Sequence, residues 1–126
     1  MYETISGWEL DVERGPNWLF VKVKGPKEAN GDAFSLAERV WTLLQEHLAD
    51  RLILELDDVG LFNSSLLGQL VLLHKRIGSH GGVMRLCGLS PHNQAVLHCC
   101  RLDERFSCYP TREEAVRGSC QPRQPR

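Results

Sequence analysis

The stretch Phe62-Asn63-Ser64-Ser65-Leu66-Leu67-Gly68 holds the residues best placed to do chemistry. Two adjacent hydroxyls follow a carboxamide and precede an apolar run, as at the amino end of a helix, where free backbone N–H donors and the helix dipole favour negative charge. Two uses of these side chains follow. Asn63 or Ser64 can cap the helix by accepting a backbone N–H. Alternatively, Ser64 can accept a phosphoryl group, whose roughly −1.5 to −2 charges the positive end of the dipole accommodates. His98-Cys99-Cys100, with Cys108 nearby, offers metal-ligand types. Neighbouring residues on a helix point about 100° apart, so these three do not converge on one ion, and buried or surface thiols are expected instead. His47, His74, His80 and His92 have no carboxylate or serine at a telling spacing. Asp57, Asp58, Ser64, His74 and Cys87 supply reactive types, but no Gly-x-Ser-x-Gly elbow, phosphate loop or paired metal motif accompanies them. Neither an enzyme nor a bound metal or other cofactor is expected.

Composition points the same way. A chain of 126 residues suits one domain. Fifteen basic and sixteen acidic residues leave a formal net charge of −1, which favours neither nucleic acid nor an anionic membrane and makes a protein partner or a neutral ligand the better expectation. Met1 to Gly7 has no basic start followed by an apolar run, and no later run nears the roughly 20 apolar residues of a membrane span. The five cysteines, Cys87, Cys99, Cys100, Cys108 and Cys120, form an odd set without paired zinc-knuckle spacing, which suits reduced thiols in a cytoplasm.

The elements that must position Ser64 are legible in outline. Trp8 to Val12 and Trp18 to Lys24 alternate with period two around the turn Arg14-Gly15-Pro16-Asn17 and predict a hairpin, with the acidic row Glu9, Asp11 and Glu13 near Lys22 and Lys24. Phe34, Ala37, Val40, Trp41, Leu44 and Leu48 form a helical stripe. Leu52 to Leu56 is a short central strand. Leu66 to Ile77 is apolar almost all round and predicts the most buried helix. Val83 to Cys87 is a strand, Ser90-Pro91 opens a third helix through about Cys100, and Phe106 to Tyr109 is a last strand. Thr111-Arg112-Glu113-Glu114 matches a capping box and opens a final helix to about Arg117. Residues 1–7 are an extension, residues 8–118 one domain, and residues 119–126 a disordered tail.

This order is a hairpin followed by repeated αβ units. Leu19, Val21, Val23, Leu52, Leu54, Leu56, Met84 and Leu86 can share one sheet face, leaving Glu9, Asp11, Lys22, Lys24, Glu55 and Arg85 on the other. The expectation is an α/β fold with a singly wound, mixed and mostly parallel sheet, its helices mainly on one face and a polar face that carries none. Partner and ligand sites gather at the carboxyl ends of such strands. That geometry centres a partner surface on Asn63, Ser65, Leu66, Leu67 and Gly68 around Ser64, flanked by the loops Gly25 to Asp32 and Gly88 to Pro91, from which Asp32 and Ser90 are the named contacts. A monomer or weak homodimer is expected.

The stretch from Leu52 to Ala115 resembles the STAS domain, whose signature is an apolar strand, then Asp-Ser-Ser or Asp-Ser-Thr, then Gly-Leu-Gly opening a helix. Here Asn63-Ser64-Ser65-Leu66-Leu67-Gly68 stands in that place, followed by His74-Lys75-Arg76, Gly81-Gly82, Leu89-Ser90-Pro91 and Tyr109-Pro110 through Glu113-Glu114-Ala115 in similar order. With the hairpin and first helix, the resemblance covers Trp8 to Ala115. It implies a protein-binding signalling module like the anti-sigma-factor antagonists, in which the serine after the Asp is phosphorylated by a partner anti-sigma kinase. That position matches Ser64, and the implied partner is an anti-sigma factor or related serine kinase. Asn63 stands where the family has Asp, and Leu66 where it has Gly. The alternative is a STAS module that is not phosphorylated and serves as a ligand sensor or as a subunit of a signalling assembly.

Overall fold

Alternating runs and apolar stripes become six strands and four helices among the described residues of the computed structural model, which are 2–5, 8–24, 36–60, 62 and 64–118. In chain order these are β1 (Tyr2–Ile5), β2 (Trp8–Arg14), β3 (Leu19–Lys24), α1 (Leu36–Glu46), β4 (Arg51–Asp58), α2 (Ser64–Ser79), β5 (Val83–Cys87), α3 (Pro91–Cys99), β6 (Ser107–Tyr109) and α4 (Arg112–Arg117). The sheet order is β1-β2-β3-β4-β5-β6, the order of the chain itself. The first two pairings are antiparallel and the last three parallel. Within the segment expected as an extension, Tyr2–Ile5 adds an edge strand opposite Trp8–Asp11. A four-residue strand is too short for periodicity alone to reveal it.

The β2–β3 register sets Glu9 opposite Lys24 and Asp11 opposite Lys22, the cross-strand charge pairing read from the sequence. Because the strand order never reverses, right-handed crossovers carry α1, α2 and α3 to the same face. There Leu10, Val12, Leu19, Val21, Val23, Leu52, Leu54, Leu56, Met84 and Leu86 meet Val40, Leu43 and Leu44 of α1, Leu66, Leu70, Leu73 and Ile77 of α2, and Leu97 of α3. Gly82 lets the chain re-enter the sheet closely. A Cβ there would collide with the Asp50 carbonyl and lie 2.9 Å from Ile77 Cγ2.

The second face corrects the expectation that it carries no helix. Trp18, Phe20, Ile53, Cys87 and Tyr109 make an apolar strip across it, and Ala115 of α4 packs into that strip. Since α4 follows the last strand and links no two strands, no crossover rule holds it on the main face. Burial of the strip draws it over instead. Arg112 anchors it: Nε lies 2.7 Å from Glu55 Oε2 and Nη1 lies 3.0 Å from Glu13 Oε1, while the guanidinium covers the Phe20 ring at 4.2 Å. Arg85 closes the other end, donating from Nη1 to the Ala115 carbonyl at 2.7 Å and stacking on Trp18 at 4.7 Å. Thr111 caps α4, its Oγ1 accepting from the Glu114 N–H at 3.2 Å, as the capping-box pattern implies.

Candidate functional site

Central strand β4 delivers the chain to the carboxyl edge of the sheet at Asp57 and Asp58, and the loop after it returns as α2 with Ser64 as its first residue. Its described residues Gly60 and Phe62 are bonded by a buried carboxamide. Asn93, 1% exposed in the first turn of α3, accepts from the Phe62 N–H at 2.9 Å and donates through Nδ2 to the Gly60 carbonyl at 2.9 Å. Ser90 is the cap of α3, its Oγ accepting from the Asn93 N–H at 3.1 Å. The Ser90 cap, Asn93 and the segment leading to Ser64 therefore form one connected unit. Phe62 itself is buried in the core, so the loop is held by packing as well as by hydrogen bonds.

Ser64 is exposed, Ser65 and Leu67 are half-buried, and Gly68 is exposed. Leu66 corrects the sequence expectation. At 1% exposure it belongs to the main core and has no side-chain surface to offer a partner, because the first turn of α2 aims this residue at the sheet. For the same reason, leucine in place of the family glycine adds no bulk on the outer surface. Asn63, Asp32 and the loop Gly25 to Asp32 lie outside the described residues, as do residues 119–126. Gln69, one turn into α2, was not singled out by sequence. Its Oε1 accepts from the Ala37 N–H at 2.8 Å, satisfying a donor at the start of α1.

The rim toward the second face is acidic. Lys22 Nζ lies 3.5 Å from Asp57 Oδ2 and 3.7 Å from Asp58 Oδ2. The Asp57 carboxylate holds the lysine above its ordinary 10.5, against burial, with Asp58 adding to the effect. Gly88, at the end of β5, comes close to Asp57: its φ is +77°, and a Cβ there would lie 3.1 Å from Asp57 Cβ. His98 of the His98-Cys99-Cys100 run has its Nδ1 2.8 Å from Asp103 Oδ2. Cys99, Cys100 and Cys108 are exposed and Cys87 is buried. Among the described residues, no helix is long and apolar enough to cross a membrane.

This geometry is a scaffold for recognition. It presents the exposed Ser64 side chain at a helix amino end, beside the carboxyl edge of the sheet. Comparison with solved structures finds the same architecture. An anti-sigma factor antagonist from Mycobacterium paratuberculosis matches with a TM-score of 0.73 at 20% identity, over 90% of this chain and 94% of that one. An anti-sigma-factor antagonist (STAS) domain protein from Planctomyces limnophilus matches at 0.67 and 25% identity, over 86% and 96%. The Bacillus cell fate determinant SpoIIAA, in its phosphorylated form, matches at 0.63 and 15% identity, over 88% and 99%. No curated protein sequence matches the chain. The model of the STAS domain family matches residues 10–115, from within β2 to within α4, and on that match the chain belongs to the STAS domain family.

Proposed function

We propose that this STAS domain is a protein-binding regulator of the anti-sigma-factor-antagonist kind, recognised by an anti-sigma factor or related serine kinase at the amino end of α2 and switched by phosphorylation of Ser64. The observation that carries the reading is the position of Ser64, an exposed hydroxyl on the first residue of α2, just after a loop held by buried Asn93. In the step, Ser64 Oγ forms a bond to the γ-phosphorus of ATP, the bond from that phosphorus to the bridging oxygen breaks, ADP leaves, and the hydroxyl proton passes to a base of the kinase. The new charge meets the positive end of the α2 dipole, so the fold tolerates it, whereas a partner packed on that surface has to desolvate or oppose it. Folding and binding then respond differently to one modification.

The test incubates the chain with ATP and each ATP-binding serine kinase encoded beside it, and reads complex formation by native mass spectrometry and modification by phosphopeptide mapping. A complex and a phosphopeptide containing Ser64 are expected. Ser64→Ala should retain binding without modification. Ser64→Asp should leave the melting temperature nearly unchanged and weaken the complex by about 1–3 kcal/mol. Glu9→Lys, on the second face, should leave binding unchanged and lower stability by no more than about a few tenths of a kcal/mol, because it sets a lysine opposite Lys24. Ser64→Asp binding as tightly as wild type while Glu9→Lys abolishes binding would move the functional surface to that face.

A further inference from the structure

Helix α2 spends much of its outer surface on residues the fold does not need there. Ser64, Gly68, Leu72 and Arg76 follow one another at four-residue spacing and so form one row along the helix. Gly68 destabilises a helix interior relative to alanine, yet a Cβ at that position would meet nothing within 4 Å among the described residues, so no contact among them demands a glycine. Leu72 is 56% exposed, the one large apolar residue of α2 with so much surface in water. Beside this row, α1 and α2 enclose a groove of about 660 Å³ lined by Glu38, Gln69, Leu72, Lys75 and Arg76 among others. Its charges are of both signs. Arg76 Nη1 holds Glu38 Oε1 at 2.9 Å, and the Glu38 side chain remains 67% exposed. Lys75 is exposed and has no carboxylate within ion-pair distance among the described residues.

A small residue that leaves room, an apolar residue at the centre and opposite charges on the walls make a surface that complements itself under a two-fold rotation. We propose that the α1–α2 groove is the interface of a homodimer in which two α2 helices run antiparallel across an axis at Leu72. The leucines then bury each other. Gly68 of one copy makes room for the turn that carries Lys75 and Arg76 of the other, and Lys75 of one copy pairs with Glu38 of the other. The contact is small, so the dimer forms and dissociates with concentration. Its regulatory consequence rests on the partner surface proposed above. The dimer covers the row that begins at Ser64, so self-association and the kinase complex exclude one another, and the dimer is a reserve from which the active monomer is drawn.

The test needs no partner. Analytical ultracentrifugation of the whole chain from about 10 μM to about 1 mM, the range in which small interfaces associate, should show a monomer–dimer equilibrium. Leu72→Glu should weaken it by at least about tenfold with the melting temperature unchanged. Lys75→Glu and Glu38→Lys should each weaken it, and the double variant should recover it. A wild type monomeric throughout, Leu72→Glu dimerising as well as wild type, or a double variant no better than the singles overturns the proposal. Loss of kinase binding in Leu72→Glu from a wild type that stays monomeric assigns the groove to the kinase and overturns the dimer alone. A dimer that dissociates as described, beside a chain that binds no kinase, overturns the partner reading alone.

Discussion

Asn93 shows how one side chain can tie two distant segments together. It spends its carboxamide oxygen on the Phe62 N–H and its amide on the Gly60 carbonyl. Asn93→Ala orphans both, and Asn93→Asp keeps the acceptor but replaces the donor with a buried charge. Either should lower stability by about 1–3 kcal/mol in urea unfolding and increase hydrogen exchange at Phe62. A loss under a few tenths of a kcal/mol would mean the loop is held by Phe62 packing alone. Cys87 is a second residue whose surroundings set its chemistry. Burial under α4, with Glu55 and Asp57 adding to it, pushes its thiol up to about 12. Iodoacetamide at neutral pH should therefore label exposed Cys99, Cys100 and Cys108 and spare Cys87, as read by peptide mass spectrometry. Comparable labelling of Cys87 would show that α4 leaves the sheet readily.

At the scale of elements, α4 is held by its ends. Arg112→Ala removes the bridge to Glu13 and to Glu55, a carboxylate only 8% exposed that would then be left without its guanidinium. Because Arg112 is partly exposed, the expected loss is about 1–3 kcal/mol, below that for a fully buried pair. Thr111→Ala should cost about 1 kcal/mol through the cap. Both are measured by urea unfolding, and equal effects would mean that Arg112 contributes no more than an end cap. The start of α3 at Ser90-Pro91 and the cap at Thr111 were legible in the sequence because their signals are local, Thr111 acting on a donor three residues away. So was the alternation that sorts Leu19, Val21 and Val23 from Phe20, Lys22 and Lys24. The contacts of Asn93 and Gln69 were not legible, since their partners lie 31 to 33 residues away in the chain. The side chosen by α4 was hidden for another reason. Lys22, Lys24, Glu55 and Arg85 mark that face as polar, and only the register brings Phe20, Ile53 and Cys87 together into an apolar strip between them.

The whole molecule should have a stability plateau with two edges. His74 is lowered from 6.5, first by burial and then by Arg105, so below pH 6.5 the unfolded chain takes up a proton that the native state resists, and stability falls. Cys87 is raised from 9.0, so above that value the unfolded thiol ionises while the native one does not, and stability falls again. Lys22, raised from 10.5 by Asp57, contributes stability that is full below 10.5 and lost as the pH climbs through its native value. Melting temperature should thus be highest between pH 6.5 and 9.0, and Cys87→Ser should lessen the alkaline decline. A melting temperature that keeps rising from pH 9 to 10.5 would contradict the assignment.

The placement of α4 also bears on how the protein is made. Strands that lie side by side in chain order let a nascent chain add each one to a finished template as it leaves the ribosome, amino end first. The helices of the main face arrive between strands and cover the growing sheet on that side at once. The cover for Phe20, Ile53, Cys87 and Tyr109 arrives last, with Ala115. Until Ala115 follows, the strip on the other side has no cover from α4. A chain cut after Pro110 should accordingly assemble its β1–β6 sheet and yet partition into the insoluble fraction on expression.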